Sequence, residues 1–205
     1  MKKFFTLALL VSVLIISCAD HQEKPNLLEK GISENLAIYR KNQVDSVIYR
    51  LDFKIPLKQE DSIPAHLDLS LNINNLDQPL YLDFNENSDH LLNLKVNGEN
   101  IAIDHREEHL IIAPEYLKIG QNDIKIDFLA GELSLNRNPD FLYTLLVPDR
   151  ASTLFPCFDQ PNIKANYILN ITAPKQWKVI AGAPEEKVVE NGNFTEHQFK
   201  KSDKM

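Results

Sequence analysis

The chain has 205 residues, with 22 Lys and Arg against 29 Asp and Glu, for a formal net charge of −7. That acidic balance contains no basic block, which excludes the electrostatic footprint of a nucleic-acid binder and any attraction to anionic lipid headgroups. With only two Cys, the chain is no disulfide scaffold either.

Residues 1–18 read as a targeting segment. Lys2 and Lys3 give a positive start, and Phe4 to Ile16 is an apolar run of 13 residues. That is shorter than the ~20 residues of a bilayer-spanning helix and within the length of a signal-peptide core. The run closes on Ile15-Ile16-Ser17-Cys18, which resembles a bacterial lipobox. Cleavage would leave Cys18 as the lipid attachment point. At about 0.8 kcal/mol per buried methylene, two or three acyl chains would hold the protein to a membrane of the bacterial cell envelope. The competing reading is an ordinary secretory signal whose Cys is incidental. Residues 19–28 are polar and read as a tether. Residues 29–205 are then one domain, long enough to bury a core.

A short helix is expected from Ser33 to Gln43, with Ser33 as N-cap. The period then changes to two. Val47, Tyr49, Leu51, Phe53 and Ile55 alternate with polar residues until Pro56, and Leu67 to Ile73 repeat the pattern. Leu80 to Phe84 is a shorter strand. Leu92 to Val96 leads through Asn97-Gly98 to Ile101 and Ile103, the strongest hairpin signal in the chain. Leu110 to Ala113, Ile124 to Phe128, and Tyr167 to Ile171 continuing to Val179 and Ala181 add further strands. Val188 and Phe194 to Phe199 flank a second turn at Asn191-Gly192. Many short alternating strands with turn signals between them define an all-β sheet or sandwich with one short helix.

Candidate chemistry is sparse. His105-Arg106-Glu107-Glu108-His109 has the letters of an inverted zincin motif. Zinc would need both His on one helical face, but strand periodicity flanks the motif, which reads as a charged connection between strands. Asp83, Glu86 and Asp89 read as a solvated loop. Cys157, between Pro156 and Phe158, reads as a small buried hydrophobe, not a nucleophile. No catalytic or metal-binding residue is assigned.

Residues 155–161 read Phe155-Pro156-Cys157-Phe158-Asp159-Gln160-Pro161. By themselves they suggest an aromatic corner, with both Pro fixing the backbone and Asp159 bonding to nearby N–H groups. They also resemble the signature of the amino-terminal domain of the aminopeptidase N (M1) family of zinc metallopeptidases. Gly31-Ile32-Ser33, Leu94-Lys95-Val96-Asn97-Gly98, Ser134-Leu135-Asn136-Arg137 and Trp177-Lys178-Val179 follow the family's order.

The resemblance implies a saddle-shaped, mostly β domain. It implies a partner in a catalytic domain of the same polypeptide, a peptide substrate and zinc there. It also implies a role in shaping the substrate cleft and docking that domain. The zinc would polarise the scissile carbonyl and activate water, but neither His-Glu-x-x-His nor Gly-Ala-Met-Glu-Asn occurs in this chain, which by itself should be inactive. Where many members hold the substrate amine with Gln or Glu, this chain has Leu145, Leu146 and Val147. Asp149 is the nearest acid and the one candidate substrate-binding residue. Stopping at Phe199 to Met205 is expected to leave an unpaired sheet edge. The alternative is a stand-alone β-sandwich lipoprotein that binds a peptide, sugar or protein partner.

Overall fold

The computed structural model describes residues 26–205. The targeting segment and Cys18 lie outside the described residues. Among the described residues one α-helix, α1 (Glu34–Gln43), precedes thirteen strands. Ser33 caps α1 by accepting a hydrogen bond from the Leu36 amide at 3.2 Å. The helix buries Leu36, Arg40 and Gln43, a stripe at i, i+4 and i+7.

The strands are β1 (Val44–Lys54), β2 (Pro64–Ile73), β3 (Leu80–Asp83), β4 (Leu91–Val96), β5 (Glu99–Asn100), β6 (Asp104–Arg106) and β7 (His109–Ile112). After them come β8 (Gly120–Leu129), β9 (Leu135–Arg137), β10 (Leu142–Thr144), β11 (Asn166–Pro174), β12 (Glu185–Asn191) and β13 (Phe194–Phe199). Eight form one sheet in the order β12-β13-β11-β1-β2-β8-β4-β5. A three-stranded sheet, β3-β7-β6, and a two-stranded hairpin, β10-β9, complete the all-β architecture.

Alternation in the sequence becomes layering in space. Tyr49, Leu51, Leu67, Leu69, Leu71, Ile124, Ile126 and Phe128 turn one face of the large sheet inward, each at most 3 % exposed. Leu80, Leu82, Leu110 and Ile112 of the small sheet join the same core. The opposite face of the large sheet is polar and registered. Asn170, Asp52, His66, Asp127 and Asn93 form a row across β11, β1, β2, β8 and β4. Neighbours in that row bond to one another: Asn170 Nδ2 to Asp52 Oδ1 at 2.7 Å, and His66 Nδ1 to Asp127 Oδ1 at 2.6 Å.

Several expectations change. Ile101–Ile103 is not strand: β5 stops at Asn100. Residues 175–184, expected to extend β11's alternation through Val179 and Ala181, are an irregular connection. The pair β9–β10 adds to the expected strands, and of the expected connection at residues 105–109 only Glu107 and Glu108 form the turn, with His105 and Arg106 in β6 and His109 in β7. The pairing of β1 with β11 is parallel, whereas the other pairs are antiparallel. Residues 200–205 are not a bare edge. They run beside the start of β11, with Ser202 N donating to Tyr167 O at 2.8 Å and Met205 N to Ala165 O at 2.9 Å. The folded part also begins before residue 29, since Leu27 is buried against Leu36, Tyr81 and Ile111.

Candidate functional site

The signature leaves the β10 side as a short 3₁₀ turn, Ala151–Thr153, and enters β11 through Pro161. Its backbone adds a bridge to the end of β3. Asp83 N donates to Cys157 O at 2.7 Å, and Cys157 N to Asp83 O at 3.0 Å. Phe155 and Phe158 are buried, and Phe155 meets Tyr49 edge-on at 6.2 Å. The Tyr49 hydroxyl accepts from the Phe158 amide at 2.9 Å. Burial pushes the Tyr49 phenol and the Cys157 thiol well above their ordinary pKa values, so Cys157 stays a neutral, unreactive packing group. Tyr167, stacked on Tyr49 at 5.0 Å, is pushed by burial to about 12.

Beneath the signature lies a charge network. The Arg40 guanidinium, fully buried, forks onto the Asp83 carboxylate, with Nη1 to Oδ2 at 2.7 Å and Nη2 to Oδ1. Arg40 also sits 5.9 Å from the Phe158 ring centroid. Asp83 Oδ2 accepts from the Asp159 amide at 2.9 Å, and the Asp159 carboxylate accepts from the Ser152 amide at 2.9 Å. Gln160 closes the ring by donating to the Ala37 carbonyl of α1 at 3.0 Å. Burial disfavours the Asp83 carboxylate, but His109 and Arg40 outweigh it and hold its pKa below the ordinary value. The helix, the small sheet and the signature are thereby fastened to one another at a single buried point.

Asp83 is therefore no solvated loop residue: it is 4 % exposed. His109 is likewise buried, with Nδ1 2.9 Å from Asp83 Oδ1 and Nε2 3.0 Å from the Glu29 carbonyl oxygen. Both of its nitrogens face oxygen acceptors. His105 Nε2 faces the Phe84 carbonyl at 2.9 Å, and its Nδ1 faces the Ser88 hydroxyl at 2.9 Å. A zinc ligand must offer a free imidazole lone pair. These two rings spend their nitrogens inside the fold, on either side of the Glu107-Glu108 hairpin turn, so they do not fit a zinc site. Among the described residues no group of three or more His, Cys, Asp or Glu is arranged to hold a metal ion.

Asp149 is exposed, at the solvent side of the buried network. It lines a small polar cavity of about 280 Å³ together with Asn85, Glu108, Ser152, Asp159 and the edge of Asp83. Of the four carboxylates around it, Asp83 is paired with Arg40 and Glu108 meets Lys30 Nζ at 3.1 Å, which leaves Asp149 and Asp159 as its uncompensated acids. Sequence reasoning missed Arg40, Asp83 and His109. The available signal was Arg40 itself, a cation on the same helical stripe as Leu36 and Gln43.

The fold and this joint define a β domain in which a loop signature locks a helix and two sheets together. The sequence model of the Peptidase M1 N-terminal domain matches residues 45–205, and the chain belongs to that family. It is 26% identical over 168 residues to glutamyl aminopeptidase of Sus scrofa, covering 70% of this chain and 18% of that protein. The human glutamyl aminopeptidase is 28% identical over 186 residues, covering 78% and 19% respectively. The crystal structure of an M1 zinc metallopeptidase from Deinococcus radiodurans superposes with a TM-score of 0.66 at 15% identity, over 77% of this chain and 39% of that one. The chain thus spans about a fifth of the two aminopeptidases that it resembles.

Proposed function

We propose that this chain is the amino-terminal, non-catalytic part of a zinc aminopeptidase, held to a bacterial envelope membrane through a lipid on Cys18. Its work is mechanical: it docks a catalytic domain of the same polypeptide and forms one wall of the peptide cleft. The zinc and its ligands belong to that other domain.

The observation that carries this reading is the segment Phe141-Leu142-Tyr143-Thr144-Leu145-Leu146-Val147, whose middle, Leu142–Thr144, is β10. Six of its seven residues are apolar, more than a segment with one solvated face ordinarily carries. Only one side is covered. Leu142 and Leu146 pack on the core, while Phe141, Tyr143, Leu145 and Val147 are 51, 48, 53 and 84 % exposed. The Phe141 and Tyr143 rings stack at 6.1 Å, giving the uncovered side a preformed surface. An apolar stripe of this kind, beside a polar cavity, is what a docked domain would cover. Asp149 follows the stripe directly, and we assign it the substrate's free ammonium group, a reading supported by the small polar cavity that it lines.

Two variants of the full-length polypeptide test this. Leu145→Asp with Val147→Asp should lower peptidase activity by loosening the domain contact. Asp149→Asn should raise KM with kcat nearly unchanged, the behaviour of a lost binding contact. Unchanged kinetics in both variants would refute the assignment.

A further inference from the structure

Asn-Gly occurs twice in the chain, at Asn97-Gly98 between β4 and β5 and at Asn191-Gly192 between β12 and β13. It is a chemically weak dipeptide, because glycine has no side chain to keep its backbone nitrogen away from the asparagine Cγ. The fold holds the two copies differently. The Asn97 carboxamide is tied at both ends. Its Nδ2 donates to the Tyr116 carbonyl at 3.0 Å and to Asn122 Oδ1 at 2.9 Å, and its Oδ1 accepts from the Asp123 amide at 3.2 Å. Residues 191–193 are exposed, and among the described residues neither the Asn191 carboxamide nor the Gly192 amide has a hydrogen-bond partner. Asn191 also ends β12, the outermost strand of the large sheet, which pairs with β13 alone. Every residue of β12 except Val189 is exposed. A hairpin with so little packing opens locally at low cost, which lets Gly192 N swing onto Asn191 Cγ.

We propose that Asn191 is a site of spontaneous covalent modification, converted through a cyclic imide to aspartate and isoaspartate, while Asn97 is spared. The Gly192 backbone nitrogen attacks Asn191 Cγ. The N–Cγ bond forms, the Cγ–Nδ2 bond breaks, and the proton of the attacking nitrogen leaves with Nδ2 as ammonia. Water then opens the imide. Cleavage of the new N–Cγ bond restores the main chain with aspartate in place. Cleavage on the side of the original carbonyl leaves the main chain running through Cγ, as isoaspartate. No reactant other than water is needed. Closure at Asn97 must first break three hydrogen bonds, which slows it ~10-fold or more. Either product puts a carboxylate beside Glu190, which already pairs with Lys175. Isoaspartate also inserts a main-chain methylene at the pair of Asn191 with Phe194 that closes the hairpin. Because turn length sets hairpin register, the insertion loosens β12 from the edge of the large sheet.

For the test, the full-length protein is aged at neutral and at mildly alkaline pH, then digested at acidic pH and mapped by mass spectrometry. The peptide with Asn191 should pass from amide to acid as two separable products. It should do so faster at the higher pH, because the attacking nitrogen must lose its proton. The peptide with Asn97 should convert ~10-fold or more slowly in the folded protein. In urea, where nothing holds its carboxamide, it should keep pace with Asn191. Asn191→Gln, whose longer side chain closes a less favourable ring, should stay unmodified at that position. Amide hydrogen exchange at Val188 and Glu190 should quicken in the aged native protein and not in aged Asn191→Gln. Equal rates at the two asparagines in the folded protein, or an Asn191 that converts in urea and not in the fold, overturn the proposal. Unchanged exchange after full conversion would overturn the loosening of β12.

Discussion

Arg40 and Asp83 hold the signature in place as a buried bidentate pair, and the energetics of such pairs are asymmetric. Removing one partner strands the other charge without water, at a cost of ~3–5 kcal/mol. Asp83→Ala or Arg40→Ala should therefore lower the unfolding free energy, read by urea titration, by that much, while a change at exposed Asp149 should stay within about 0.5 kcal/mol. Equal, small effects at all three positions would show that the joint contributes little.

The same carboxylate sets the acid response. Asp83 has a folded pKa below its ordinary value of 3.8, against the opposing effect of burial. Asp127 is lowered chiefly by its bond with His66, and Asp68 by Lys125 against burial. A depressed folded pKa contributes stability above the unfolded pKa, and that stability is lost as pH falls through the folded value. Melting temperature should thus hold near neutrality and fall below about pH 4. In Asp83→Asn that fall should be shallower, on a lower plateau.

Gly131 is a second single-residue constraint. A Cβ there would lie 2.1 Å from the Thr153 carbonyl oxygen, a backbone atom beside the signature that cannot swing away. Gly131→Ala should destabilise by ~1–3 kcal/mol, the usual range for overpacking. A neutral result by thermal melt would mean that the Ala151–Thr153 turn shifts freely.

At the scale of elements, the sequence shows local structure well and long-range pairing poorly. The helix start at Ser33 and the strands around Tyr49, Leu69 and Ile126 were legible because capping and period two are local signals. The Asn97-Gly98 turn was legible for the same reason, with φ of 50° and 93° at its two residues. Placing Val at 98 should cost ~1–2 kcal/mol for the left-handed backbone.

The parallel partnership of β1 with β11 carries no local mark, since more than a hundred residues separate the two strands. Neither does the burial of Asp83 and His109, which look like surface charges until Arg40 meets them in space. In the candidate site, the aromatic and proline residues of the signature announced themselves. Their anchors, drawn from α1, β3 and β7, did not. Asp149 was singled out by its place in the sequence alone, and the structure adds the polar cavity that it lines.

At the scale of the molecule, one exposed apolar surface decides how the chain is understood. Phe141, Tyr143, Leu145 and Val147 are about half exposed or more, and Tyr143 and Val147 also line the depression that Phe53, Leu169 and Ile171 share. Leu145→Asp with Val147→Asp should leave the unfolding free energy of the 205-residue chain, read by urea titration, unchanged within about 0.5 kcal/mol, because both side chains are more than half exposed. In the full-length protein the same change should be costly.

The most direct measurement is to read the DNA that follows the Met205 codon. An open frame encoding His-Glu-x-x-His and Gly-Ala-Met-Glu-Asn would place this domain at the front of a zinc aminopeptidase, as the account predicts. A stop at that point, with no zinc motif downstream, would contradict it and leave a free-standing β-sandwich lipoprotein in its place.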